Sequence, residues 1–316
     1  MSTTSKAQRF VVILLSISGV LALIYATASI GLTMILVYQP PLPVTQTPSS
    51  RGLSYRSVTF LSRDDHLPLR GWFIPGILPG NHLTVERTII LVHGLHANRA
   101  TNLILDLSGD LARHGFAVLD FDLRGHGEST PAPFGGGYFE QRDVLGAVDY
   151  LRSGPLPYPE LGRPRAIGAW GNSVGGVAIL YAAAQEPAIK AMVIDSAYAT
   201  LESLVKYAFG PASVFVPGVR VIAQMLYGID FFKVRAVDVV AKIAPRPILF
   251  IHGANDKDVP PSNMAELETA ASAAPDAQEQ SWLVPGAGHI QAYTKMRNAY
   301  VIRIVALYTA GLGIAS

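Results

Sequence analysis

A long apolar segment lies near the start of the chain. No charged residue occurs between Phe10 and Tyr38. A helix rises about 1.5 Å per residue and therefore crosses about 30 Å of hydrocarbon in about 20 residues. We predict a transmembrane helix that acts as a signal anchor over residues 10–38, preceded by a short cytoplasmic N-terminus at residues 1–9.

A cleaved signal peptide is the main alternative for this segment. Lys6 and Arg9 would form its basic start, and Ala26-Thr27-Ala28 resembles a small-residue cleavage site. The apolar run continues ten residues beyond Ala28, which a cleaved peptide does not require. A buried core helix is disfavoured because nothing nearby gives the segment a polar face.

Basic residues indicate how the helix is oriented. Lys6 and Arg9 immediately precede it, whereas Arg51 and Arg56 follow it only after more than ten residues. Because basic residues collect on the cytoplasmic side, the bulk of the chain is expected on the extracytoplasmic side of the membrane. Residues 39–54 are rich in proline and predict an extended, semi-rigid tether that separates the anchor from the domain.

Residues 55–316 alternate between strand-like and helix-like segments. Two strands around a turn-prone Asp64-Asp65-His66 predict an opening antiparallel pair, and short apolar runs bounded by Gly, Pro or Asp are typical of buried strands. The predicted strands are 57–61, 69–74, 88–92, 116–121, 166–170, 191–194, 248–251 and 280–284. The predicted helices are 101–114, 139–152, 174–185 and 261–274. This alternation predicts an α/β fold with a mostly parallel sheet of about eight strands and helices on both faces.

One interval is too long for a simple crossover. Residues 197–242 separate two predicted strands and contain many aromatic and aliphatic side chains. They are interpreted as a cap insertion over the site or, equally, as an ordinary crossover helix with a surface elaboration. A third interpretation turns their apolar side chains toward a lipid surface.

Composition limits the chemistry that the chain can perform. Of its 316 residues 50% are hydrophobic, and 25 basic against 23 acidic residues leave a net charge of +2. Such a balance offers no basic surface for nucleic acid, so no nucleic-acid partner is expected. Cysteine is absent, which excludes disulfides, thiolate metal sites and a cysteine nucleophile.

The sharpest chemical signal is Gly171-Asn172-Ser173-Val174-Gly175-Gly176. It stands directly after a predicted strand and directly before a predicted helix. A serine at such a tight turn has an exposed hydroxyl, and small residues two positions to either side let strand and helix approach. Ser173 is therefore predicted to be a nucleophile at a strand-to-helix elbow.

A serine nucleophile needs a base and an orienting carboxylate. In this type of fold the chain order is serine, acid, histidine. Of the two histidines after Ser173, His289 follows the last predicted strand in a loop, whereas His252 ends a buried strand, so His289 is favoured as the base. For the acid, Asp256 is favoured over its neighbour Asp258 and over Asp195, which ends an earlier strand.

Other polar motifs predict no cofactor and no metal. His93 and His96 fall in a loop without a third ligand, which disfavours zinc. Gly135-Gly136-Gly137 lacks the fingerprint of a dinucleotide or phosphate site. A second membrane span near the C-terminus is disfavoured because Lys295 and Arg303 interrupt it.

Five landmarks in this order resemble the α/β-hydrolase superfamily. They are the His93-Gly94 pair, the Asp122-Leu123-Arg124-Gly125-His126-Gly127-Glu128-Ser129 segment, the Ser173 elbow, the acid loop and Gly288-His289. Within the superfamily the chain is most similar to serine hydrolases with one N-terminal membrane helix, a group of bacterial esterase-like and eukaryotic abhydrolase-domain proteins. The likeness runs from about Ser57 to the C-terminus.

The resemblance implies both an oxyanion hole and a reaction. The hole would be formed by the backbone N–H groups of Leu95 and Val174, while the glycine-rich loop of the lipase variant is absent. The expected activity is hydrolysis of a carboxylic ester or thioester of a small-molecule or lipid-like acyl substrate through an acyl-enzyme. A serine exopeptidase of the same fold and a catalytically silent membrane-tethered binding module remain alternatives, because a fold does not choose a substrate.

Overall fold

The computed structural model describes residues 6–38 and 40–313. Residues 1–5 of the predicted cytoplasmic segment, Gln39 of the predicted tether and residues 314–316 of the predicted domain lie outside the described residues. Within the described ranges the chain forms a central sheet, flanking helices and one long N-terminal helix.

Eight strands of the described chain form one twisted sheet, and two more form a small hairpin. The strands are β1 Arg56–Leu61, β2 Pro68–Ile74, β3 Gly76–Leu78, β4 His82–Thr84, β5 Arg87–Val92, β6 Ala117–Phe121, β7 Ala166–Asn172, β8 Ile189–Asp195, β9 Ile248–Gly253 and β10 Glu279–Val284. The order across the sheet is β1-β2-β6-β5-β7-β8-β9-β10, with β3 and β4 outside it. Within this sheet the pairs β1–β2 and β2–β6 are antiparallel and the other pairs are parallel, and the separate pair β3–β4 is antiparallel.

The predicted α/β fold is confirmed, including the opening antiparallel pair. The hairpin of β3 and β4 was not predicted, because its three-residue strands are too short to show a period in the sequence. Alternate side chains of β5 enter different core clusters: Ile90 and Val92 belong to one, and Ile89 and Leu91 to the other. A strand covered on both faces is continuously apolar for this reason.

Helices cover both faces of the sheet. The α-helices of the described residues are α1 Lys6–Val37, α2 Asn102–Arg113, α3 Gln141–Ser153, α4 Val174–Ala183, α5 Leu201–Phe209, α6 Val216–Tyr227, α7 Ser262–Ala271, α8 Ala292–Lys295 and α9 Arg297–Gly311. Side chains of α3, α4 and α7 pack in one core cluster, and those of α2 and α9 pack in the other. The sheet is thereby buried between two helical layers.

The N-terminal helix and the segment after it lie against the domain. Thr33 and Val37, near the end of α1, are buried, and the carbonyl of Val37 accepts a hydrogen bond from the N–H of Phe134 at 2.9 Å. Beyond it, the side chain of Asn98 donates to the carbonyl of Leu42 at 2.9 Å. The structure thus differs from the expected spacer: residues 40–47 are irregular but are held on the domain surface.

The interval 197–242 contains α5, α6 and several short 3-10 turns. Residues 201–227 are apolar and long enough, by length and composition alone, to be a candidate membrane span. They form two helices rather than one, however, and Leu201, Val205, Val216 and Val219 are buried in the core. This burial ties the segment to the domain.

Candidate active site

Ser173 lies at the turn between β7 and α4. Its backbone has φ 51° and ψ −124°, a conformation that side chains rarely adopt. A Cβ on Gly175 would lie 2.3 Å from the carbonyl oxygen of Val92, and one on Gly171 would lie 2.7 Å from the backbone of Gly175. The glycines on either side of the serine therefore permit the sharp turn, and Ser173 is left partly exposed.

Two of the predicted catalytic side chains are in direct contact. The Nδ1 atom of His289 lies 2.8 Å from Oδ2 of Asp256, although 33 residues separate them in sequence. The other carboxylate oxygen of Asp256 accepts hydrogen bonds from the N–H groups of Asp258 and Val259, at 3.0 and 2.9 Å. The carboxylate is thus fixed by its own loop and faces the imidazole.

His252 also supports this carboxylate. Its Nε2 atom lies 2.8 Å from the carbonyl oxygen of Val259 and 3.2 Å from Oδ2 of Asp256. Burial alone would raise the pKa of Asp256, but hydrogen bonds from His252, His289 and the N–H of Val259 hold this pKa well below its usual value. Asp256 is therefore ionised at neutral pH, as a group that orients an imidazole must be.

The two rival acids make other contacts. The carboxylate of Asp195 is buried and accepts hydrogen bonds from Tyr300 at 2.8 Å and from Ser196 at 2.9 Å. Burial raises the pKa of Asp195 in spite of these bonds. Asp258 contributes its backbone N–H to Asp256 rather than a carboxylate to His289. Of the three acids considered, Asp256 is the one bonded to His289.

The loop after β5 passes beside the nucleophile. A Cβ on Gly94 would lie 3.2 Å from Cβ of Ser173, so the following residue, Leu95, is close to the elbow. In the described ranges neither the N–H of Leu95 nor that of Val174 donates a hydrogen bond. Val174 is the first residue of α4, where N–H groups lack partners within the helix and the helix dipole favours negative charge.

His93 fixes the base of this loop. Its Nδ1 atom lies 2.8 Å from the carbonyl oxygen of Gly94, and its Nε2 atom accepts the N–H of Leu123 at 3.1 Å. Complete burial lowers the pKa of His93 to about 3. The imidazole is therefore neutral and is occupied by backbone contacts.

Two hydrogen bonds link the serine turn to the histidine loop through Asp195 and Ser196. The N–H of Ser173 donates to the carbonyl of Asp195 at 2.8 Å, and the N–H of Ile290 donates to Oγ of the next residue, Ser196, at 3.3 Å. Within residues 6–38 and 40–313, Oγ of Ser173 makes no hydrogen bond, to His289 or to any other residue. Such contacts are often long without substrate and tighten in the complex.

The segment after β6 is held by buried ion pairs. Arg99 binds Asp122 and stacks over the ring of Trp72 at 4.5 Å. Arg124 binds Asp143 at 2.7 Å, and burial raises the pKa of Asp143 to about 6. The N–H of Arg99 also donates to Asp122 at 2.9 Å, which joins the loop after β5 to the segment after β6.

Asp256, Asp258 and His289 also present possible ligand atoms within 4.8 Å of one another, which is compatible with a metal ion. His289, however, already uses Nδ1 to contact Asp256. Geometry of this type is expected of an oriented imidazole as well, so the cluster by itself does not define a metal centre.

Sequence comparisons agree with the fold. A family model described as the α/β-hydrolase fold matches residues 87–219. The uncharacterized protein YfhR of Salmonella typhi is 28% identical over 246 residues, which cover 75% of this chain and 75% of that protein. The uncharacterized membrane protein YNL320W of Saccharomyces cerevisiae is 23% identical over 228 residues, or 72% of each chain.

Solved structures give the same result. The esterase Pf2001 of Pyrococcus furiosus superposes with a TM-score of 0.71 at 21% identity, covering 88% of this chain and 100% of that one. An acylaminoacyl peptidase of Pyrococcus horikoshii superposes with a TM-score of 0.62 at 16% identity, covering 84% of this chain and 43% of that one. At such identities the likeness establishes the fold, and the substrate is a separate question.

Proposed function

We propose that this chain, which has the α/β-hydrolase fold and resembles that superfamily, is a membrane-anchored serine hydrolase acting on carboxylic esters or thioesters. The observation that carries the proposal is the 2.8 Å contact between His289 and the ionised Asp256, in a fold that also exposes Ser173 at a strained turn. A serine, a carboxylate and an imidazole, in this chain order, form the triad of the superfamily.

In the proposed reaction His289 removes the proton from Oγ of Ser173 as this oxygen attacks the carbonyl carbon of the substrate. Asp256 holds the imidazole in the tautomer that leaves Nε2 free to accept the proton, and it stabilises the imidazolium that forms. The leaving group departs with the proton from His289. The same histidine then activates water, which releases the acid and restores Ser173.

We propose that the N–H groups of Leu95 and Val174 receive the negative oxygen of the tetrahedral intermediate. Both groups lack acceptors in the described residues, and both lie next to Ser173 in space or in sequence. Removal of one such donor typically slows an acyl transfer by a factor of about 100 to 1,000. Most substitutions leave a backbone donor in place, and proline, which removes the N–H, also fixes φ, so the loop around Gly94 is the element to perturb.

The membrane part of the proposal rests on α1. Residues 10–24 are exposed and uncharged, a surface that water does not favour and that hydrocarbon does. With Lys6 and Arg9 on the cytoplasmic side, the domain would lie on the extracytoplasmic side. The similarity to the membrane protein YNL320W of Saccharomyces cerevisiae supports the anchor.

Hydrolysis of a graded series of esters by the full chain in detergent micelles tests the activity. We expect turnover of acyl esters, a loss of activity of several orders of magnitude in Ser173→Ala, and unchanged activity in the matched control Ser272→Ala, an exposed serine after α7 whose hydroxyl contacts Glu268 and Glu279 rather than the site. Turnover of aminoacyl amides in preference to esters would identify a peptidase instead. Retained activity in Ser173→Ala would refute the assignment of the nucleophile.

A further inference from the structure

One face of α1 packs on the domain, and only along its C-terminal half. Every residue from Lys6 to Ile24 is exposed. From Tyr25 onward, residues at helical spacing lose exposure. They are Tyr25, Ala28, Ser29, Leu32, Thr33, Leu36 and Val37. Such a stripe, repeating every three or four residues, is the signature of a helix packed along one side.

The partner of this stripe is the start of α6. The hydroxyl of Tyr25 donates to the carbonyl of Val214 and accepts the N–H of Gly218, both at 3.1 Å, and its ring lies 5.3 Å from that of Phe215. A Cβ on Gly218 would lie 2.2 Å from Oγ of Ser29. The two helices therefore approach closely through small residues, as membrane helices do.

The length of α1 places this contact inside the bilayer. Residues 10–24 are fifteen residues, or about 22 Å of helix at about 1.5 Å per residue. The hydrocarbon core is about 30 Å thick. A span that begins after Arg9 must therefore continue to about residue 29, and any tilt lengthens it further. Tyr25 and Ser29 then lie within hydrocarbon, and the residues that touch them lie at the same depth.

The chemistry of the contacting segment suits this position. Residues 207–219, here named the cap tip, contain no charged side chain. Val214, just before α6, is 62% exposed. Val221 and Met225 on α6 are 55% and 75% exposed. The charges that bracket the tip are paired: Lys206 with Glu202 at 2.6 Å, and Arg220 with Asp230 at 2.9 Å. Lipid would accept this surface at little cost, whereas water does not favour it.

We propose that the cap tip inserts into the membrane leaflet from which α1 emerges, so that the occupant of its exposed apolar face is the lipid bilayer. The inference rests on the proposed spanning of the membrane by α1. It also places the catalytic edge next to the bilayer, because the hydroxyl of Tyr207 donates to the carbonyl of Lys257 at 3.0 Å, beside Asp256. Substrates with long acyl chains would then reach Ser173 from the lipid.

Site-specific labelling tests the insertion directly, because the chain has no cysteine of its own. Val214→Cys, Leu21→Cys and Ala273→Cys are each labelled with an environment-sensitive fluorophore and reconstituted as the full chain in phosphatidylcholine nanodiscs. Ala273 is exposed beyond the C-terminal end of α7 and serves as the aqueous control, and Leu21 reports on α1. Lipids that carry a nitroxide on the acyl chain, either near the headgroup or near the chain end, act as quenchers.

We expect the label at position 214 to be quenched by the nitroxide near the headgroup, the label at position 21 by the nitroxide near the chain end, and the label at position 273 by neither. Quenching at position 21 without quenching at position 214 would overturn the inference while leaving the anchor intact. Self-quenching between labels at position 214, relieved by dilution with unlabelled chain, would identify a second copy as the occupant and would also overturn it. Absence of quenching at position 21 would refute the anchor itself.

Discussion

The strained turn at Ser173 makes a prediction about stability that is independent of catalysis. Its backbone, at φ 51° and ψ −124°, lies where a side chain typically costs about 1–3 kcal/mol. Glycine adopts this conformation without strain but loses about 0.5–1 kcal/mol through the greater entropy of its unfolded chain. Ser173→Gly should therefore be more stable than Ser173→Ala by roughly 0.5–2 kcal/mol.

The two variants are matched because both lack the hydroxyl. That hydroxyl makes no hydrogen bond in the described residues, so Ser173→Ala itself should stay within about 0.5 kcal/mol of the unaltered protein. Urea unfolding of the full chain in micelles, followed by the fluorescence of its three tryptophans, of which Trp72 and Trp170 are buried, measures the free energy of unfolding. A Ser173→Gly variant less stable than Ser173→Ala by about 0.5–1 kcal/mol, the entropic cost of glycine alone, would show that the turn stores no strain.

Three further predictions concern the scaffold of the site. Gly175→Ala should cost roughly 1–3 kcal/mol and most of the activity, because its Cβ would meet the carbonyl of Val92; an unchanged melting temperature would contradict this. Arg99→Met should lower the free energy of unfolding in urea by about 3–5 kcal/mol, since it leaves Asp122 buried without its cation. A second change, Asp122→Asn, should recover part of this loss. Unchanged stability of Arg99→Met would contradict the prediction. The pKa of the buried His93 is lowered to about 3, below its unfolded value of about 6.5, so the unfolded chain binds the extra proton. The free energy of unfolding should therefore fall as pH drops from about 6.5 toward 3, by up to about 1.4 kcal/mol per unit, and His93→Gln should lose that dependence; parallel pH profiles would refute it.

Local sequence patterns were sufficient to predict most of the fold. The strands and helices of the sheet region were predicted because apolar runs, their lengths and the turn residues between them are local properties. Ser173 could be recognised for the same reason, since its glycine neighbours and its strand-turn-helix setting are contiguous. His289 and Asp256 followed from chain order, and Leu95 and Val174 from the family resemblance, so the roles of these residues remain predictions for the experiments above.

Contacts between residues that are distant in sequence could not be predicted from local sequence patterns. His252 was not predicted to be part of the site, although its imidazole lies against the carboxylate of Asp256. The sequence signal that could have indicated this contact is the position of His252 four residues before that acid. The packing of α1 on α6 was also missed, because a uniformly apolar helix shows no stripe that would reveal a partner. Ser29 and Gly218, small residues within apolar segments, are a local hint of it.

Covalent labelling by a fluorophosphonate probe tests the central claim most directly, because this reagent modifies only a serine that a neighbouring base has activated. The full chain in micelles is treated with the probe, digested and mapped by mass spectrometry. The account predicts an adduct on Ser173, no labelling in Ser173→Ala and unchanged labelling in Ser272→Ala. An unlabelled protein would indicate a catalytically silent module, and equal labelling of Ser173→Ala would place the nucleophile elsewhere.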